Sequence, residues 1–189
     1  MTFDAAIHNA QSNAPQSLTV VAASDVLFSG EVGEASSALG DVVINTPAVT
    51  TFAKSVDAAS LKTDVAGSGI TAGLIGNKVI IQGGRITTTG EQHYAELVVL
   101  DNAQKATVLN TTNSNVTFDK AVVNADSAAP QDLTINAGTG NVTFIGVVGE
   151  DDIVNVAATV NTPAVIKNGA LGNVTVSYTH LTLPTICSV

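Results

Sequence analysis

Residues Thr2–Val20 read TFDAAIHNAQSNAPQSLTV, and residues Thr117–Ile135 read TFDKAVVNADSAAPQDLTI. The motif Thr2-Phe3-Asp4, the pair Asn9-Ala10 and the run Ala14-Pro15-Gln16 all recur at a constant offset of 115. One residue is then inserted near Gly140, and the match resumes at an offset of 116. DVLFSGEVGE (Asp25–Glu34) pairs with NVTFIGVVGE (Asn141–Glu150), and INTPAV (Ile44–Val49) with VNTPAV (Val160–Val165). Self-similarity at a long period constrains architecture more than any local pattern does. It divides the chain into a first long repeat over 1–115, a partial second over 116–175 and a dissimilar tail over 176–189.

A shorter rhythm runs inside each repeat. NVT stands at Asn115, Asn141 and Asn173, and between these lie runs such as QDLTINA, DIVNVAATV, HYAELVVLD and KATVLNTT. Each is rich in Val, Ile, Leu and Thr and stops at Gly, Asn, Asp or Ser, the form of a short half-buried strand. The nearest helical candidate, EVGEASSALGDV, is interrupted by Gly33 and Gly40. Strands recurring every ~20–30 residues predict an all-β solenoid, a right-handed parallel β-helix in which each coil hydrogen-bonds to the next. About seven coils would make a rod on the order of 35 Å long. The alternative is a tandem immunoglobulin-like sandwich, since such a domain is close to one long repeat in length. Composition favours the solenoid: there is no Trp and aromatics are only 4%, whereas sandwich cores use large aromatic plugs.

The segment Gly84–Ala125 carries TTTG at Thr87–Gly90, then Gln92, Tyr94, the apolar run Leu97–Leu100 closed by Asp101, and NVTF at Asn115–Phe118. This pattern resembles the repeats of filamentous-haemagglutinin-like and autotransporter-like bacterial surface adhesins. The resemblance covers most of residues 1–175 and implies a parallel β-helix array. It implies a stalk segment of a large secreted or cell-surface protein, with neighbouring repeats of the same chain as partners and a host receptor or glycan as target. It carries over no catalytic, cofactor-binding or metal-binding residue.

The tail VSYTHLTLPTICSV (Val176–Val189) has no counterpart upstream. It is similar to one reading frame of a transposase-type sequencing adapter. Val176–Thr185 match the constant part, Ile186–Ser188 a variable index and Val189 the last codon before the stop. On that reading His180 and Cys187 are not chemistry, and the chain is a piece of a longer array. Met1 falls at the position of Val116 in the second copy, inside a predicted strand.

Charge excludes some partners. The net charge is −9, with one Arg and six Lys, so there is no basic patch to bind nucleic acid or an anionic membrane surface. No apolar run approaches the ~20 residues of a membrane helix. The start MTFDAAIHNA has neither the charged region nor the apolar run of a secretory signal, and residues 1–175 hold no Cys. The localisation expected from the resemblance is extracellular or on the outer cell surface.

A β-helix can also be a carbohydrate-active lyase or hydrolase, which needs acids and bases converging on one face. Arg85, Glu91, His93, Glu96 and Asp101 are near enough in sequence to be weighed for that role. We read them as solvated turn and strand-face residues and expect no enzyme. Glu150–Asp152 could offer oxygens to a cation but aligns with EAS (Glu34–Ser36) and lacks a calcium-loop pattern, so it reads as an acidic turn. His8 and His93 stand apart, which argues against a metal centre. The sequons at Asn110, Asn115, Asn141 and Asn173 read as corner Asn followed by strand Thr or Ser. No cofactor is implied, and an uncapped stack is expected to self-associate through its strand edges.

Overall fold

The computed structural model describes residues 1–11, 13–64, 77–126 and 129–149, and the backbone of Leu171–Tyr178. Among these residues there are strands and no helix. The strands are β1 (Thr2–Phe3), β2 (Leu18–Val21), β3 (Val26–Phe28), β4 (Leu39–Asn45), β5 (Val49–Phe52), β6 (Val56–Thr63), β7 (Lys78–Ile81) and β8 (Arg85–Thr88). They continue with β9 (Gln92–Tyr94), β10 (Leu97–Leu100), β11 (Ala106–Asn110), β12 (Val116–Phe118), β13 (Val122–Asn124), β14 (Gln131–Gly138), β15 (Val142–Phe144) and β16 (Leu171–Tyr178).

Every pairing between these strands is parallel, which rules out the antiparallel sandwich considered above. The architecture is solenoid-like. The chain visits three faces in a fixed order and pairs each with the coil before it. The first face is the ladder β1-β3-β5-β7-β10-β13. The second holds Ile7, Val32, the start of β6, then β8, β11, β14 and β16. The third holds β2, β4, the end of β6, β9, β12 and β15. The long strand β6 spans the second and third faces and joins them into one sheet.

The core is thin and made of stacked equivalents. Val26, Thr50, Val79, Val98 and Val122 follow one another on the first face. Val56, Ile86, Leu109 and Ile135 do so on the second, all fully buried. Branched side chains suit this arrangement because their preferred rotamers pack on a pleated surface. The few aromatics are concentrated in two ladders. Phe3, Phe28 and Phe52 stack with ring centroids 4.8 and 5.3 Å apart on the first face. Tyr94, Phe118 and Phe144 stack at 5.1 and 4.9 Å on the third.

These ladders expose how the long repeat relates to the coils. Phe3 and Phe118 are equivalent in sequence, yet Phe3 lies on the first face and Phe118 on the third. From Thr2 the chain completes four circuits, returning to the first face at Leu27, Thr51, Ile80 and Val99. It then advances two faces further, through Leu109 to Val116 and Thr117. The repeat is therefore not a whole number of turns. The same displacement moves the sequence of Leu18–Val20 from the third face to the second, at Leu133–Ile135. The three faces are interchangeable enough to accept one sequence in different positions.

One glycine is fixed by the corner it turns. Gly33 has φ +72°, and an added Cβ would lie 2.0 Å from the Asp57 carbonyl oxygen of the next coil.

Candidate functional site

The five residues weighed for catalysis do not converge. Arg85 points outward from the second face and is held by Asp57, one coil earlier. Its Nη1 donates to Asp57 Oδ1 at 2.8 Å and its Nη2 to Oδ2 at 2.7 Å. Asp57 is almost completely buried, so this fork satisfies a carboxylate that water cannot reach. Donating these hydrogen bonds to Asp57 raises the Arg85 pKa further, so no base is available there. Glu91 and His93 belong to the third face. Lys62 Nζ lies 2.5 Å from Glu91, and that contact raises the Lys62 pKa. His93 Nε2 lies 3.0 Å from Asp119 Oδ2. Asp101 closes β10 on the first face and accepts a hydrogen bond from Gln82 Nε2 at 2.8 Å. A glycosidase-like pair needs two carboxyl groups across one cleft. Here the groups are spread over three faces, and four of the five have local partners.

Glu96 differs. It precedes β10 at the corner between the third and first faces and is only 3% exposed. Neither carboxylate oxygen completes a hydrogen bond. Burial pushes its pKa up to about 8, and the nearby Asp64 carboxylate adds to the rise. The Thr63 hydroxyl and the amides of Ala95 and Glu96 oppose this without offsetting it. Asp64, with φ +50° at the end of β6, is equally buried, and burial also raises its pKa. Its Oδ1 accepts the Thr46 N–H at 2.7 Å, while its Oδ2 has no partner. Sequence reasoning grouped Glu96 with exposed residues and passed over Asp64 altogether. The apolar run after Glu96 was a signal of a buried strand start, but the corner that encloses both acids is set by coil stacking.

His8, by contrast, is not isolated. Its ring nitrogen and the carboxylates of Glu31 and Glu34 lie within 4.8 Å of one another. The separation in sequence is about one coil, which is why stacking brings them together. One nitrogen and two carboxylates form a donor set that suits a divalent transition metal. All three side chains are exposed. Glu34 already accepts from Ser36 Oγ and Ser37 Oγ, and Glu31 from Ser55 Oγ. Val123 and Val147 stand at the positions of His8 and Glu31 in the second copy, so the cluster is not a feature of the repeat.

Among the sequons, Asn115 and Asn110 serve the ladder. Asn115 Oδ1 accepts the Asn141 N–H at 2.9 Å, and Asn110 Oδ1 accepts from Asn136 Nδ2 at 2.8 Å. Glu150–Asp152, His180 and Cys187 lie outside the described residues, while Val176–Tyr178 pair with β14 through their backbone. No helix among the described residues is long and apolar enough to cross a membrane. No family model matches the chain, and no curated protein or solved structure matches it.

Proposed function

We propose that this chain is a segment of a right-handed parallel β-helix, acting as the rigid stalk of a secreted or surface-anchored adhesin-like protein. The observation that carries the reading is the parallel ladder: coil after coil hydrogen-bonds to its predecessor, as in β1-β3-β5-β7-β10-β13. A parallel crossover returning to the same sheet is right-handed in about 98% of cases, which supports the hand. A stack of this kind gains stability from neighbouring coils and offers long repetitive faces that sum weak contacts. The catalytic candidates Arg85, Glu91, His93 and Asp101 are engaged on separate faces, which fits a scaffold better than a carbohydrate-active enzyme. The partners proposed are further repeats of the same chain and a receptor or glycan at another surface.

Two experiments test this. Sequencing the source DNA across codon 175 should show the frame running on into further copies of NVTF and NTPAV. A frame that ends after Val189 in native DNA would overturn the array and the adapter reading of the tail. Purified chain incubated with polysaccharides should release no reducing or unsaturated ends. Such release, lost in His93→Ala, would replace the stalk with the enzyme.

A further inference from the structure

We propose that Asp64, Asn77 and Glu96 form a binding site for a hard divalent cation of the calcium class, at the corner between the third and first faces. Asp64 ends β6, and Asn77 stands just before β7. Glu96 occupies the next pass of the same corner. Lys78 pairs with Leu97 in the ladder, so Asn77 and Glu96 lie side by side. Thr63 pairs with Tyr94, so Asp64 lies beside Ala95.

The corner holds more acceptor oxygens than its donors, the Thr46, Ala95 and Glu96 amides, the Thr63 hydroxyl and the Asn77 side-chain amide, can satisfy. Asp64 Oδ2, Asn77 Oδ1 and both Glu96 oxygens are buried, and none has a hydrogen-bond partner. The Asn77 side-chain amide faces Asp64, which leaves its own carbonyl oxygen free. One coil earlier, Asn45 lies beside Asp64 in the ladder and also carries a buried, partnerless Oδ1. Nearly all buried polar atoms in proteins are hydrogen-bonded, so several orphaned acceptors at one corner call for an explanation. Among the described residues, no Lys or Arg pairs with either acid. Two enclosed carboxylates with no cationic side chain beside them are unfavourable. A metal ion supplies the positive charge and satisfies carboxylate and amide oxygens together. Calcium tolerates irregular sets of about six to eight oxygens, some of them water, whereas magnesium demands near-octahedral geometry.

The test is calcium uptake by the full chain at pH 7.5, by titration calorimetry after chelator treatment. Terbium luminescence sensitised by tyrosine serves as the second readout. A single ion should bind, with a higher thermal midpoint in calcium than in chelator. Glu96→Gln should abolish both uptake and the calcium-dependent shift, while melting in chelator at or above the wild-type midpoint, because it removes a buried ionisable group with unpaired oxygens. That last result separates loss of the site from loss of the fold. Glu34→Gln, in the exposed cluster with His8, should bind as wild type does. Absence of uptake by the wild type would overturn the proposal. So would uptake that survives Glu96→Gln and disappears in Glu34→Gln.

Discussion

Asn9 and Asn124 make the same pair of hydrogen bonds at different corners of the fold. Asn9 Nδ2 donates to the carbonyls of Gln11 and Ala14, between the second and third faces. Asn124 Nδ2 donates to the carbonyls of Asp126 and Ala129, between the first and second. Both side chains are buried, and each closes a turn that ends at a proline and a glutamine. Replacing Asn124 with Ala should cost about 1–3 kcal/mol, the loss of two partly buried hydrogen bonds. Asn9→Ala should cost a similar amount. Urea unfolding of the two variants checks the equivalence, and a large inequality would show that one corner is held by something else.

The Tyr94–Phe118–Phe144 ladder is expected to dominate packing on the third face. Phe118 is fully buried between the other two rings. Phe118→Ala should destabilise by about 3–5 kcal/mol, through lost burial and the cavity left behind. Ile145→Ser, at a position 41% exposed, should change the unfolding midpoint little.

The two ion pairs that were candidates for chemistry should behave differently. Arg85→Met leaves the buried Asp57 carboxylate without its fork and should cost about 2–4 kcal/mol at pH 7. Lys62→Met, at the exposed pair with Glu91, should cost less than about 1 kcal/mol. Chemical denaturation of both variants side by side is the measurement.

In chelator, stability should fall as pH rises from about 4.5 to about 8. The folded Glu96 carboxyl holds its proton more tightly than the unfolded one, so deprotonation favours unfolding. The groups facing it are Asp64, Tyr94, Thr63 and Asn77, and burial raises the Asp64 pKa as well, which slopes stability in the same direction. A change from 4.5 to about 8 corresponds to at most about 5 kcal/mol. Glu96→Gln should flatten most of this slope in thermal melts across the range.

Much of the architecture was legible because stacking leaves a period in the sequence. Phe3, Phe28 and Phe52 recur at coil spacing, as do Tyr94, Phe118 and Phe144, and the NVT motifs at Asn115 and Asn141 mark the same rhythm. What could not be read was which residues meet across a coil. His8 finds Glu31 and Glu34 only once the coil length is known, and that length varies where the segment between β6 and β7 is longer than its neighbours. The burial of Glu96 escaped for a related reason. A Glu after His-Tyr-Ala resembles any solvated strand end, and only the neighbouring passes at Asp64 and Asn77 reveal an enclosed corner.

The displacement of Phe118 from the face of Phe3 has a consequence for any array built from this repeat. Four circuits and two further faces advance each copy by about 22 Å along the axis, at a rise of ~4.8 Å per coil. Each copy is also turned by two-thirds of a revolution. A given side chain thus traces a spiral and regains its original bearing only after three copies. Such an array has no blind side, because a feature carried once per repeat points toward every direction in turn.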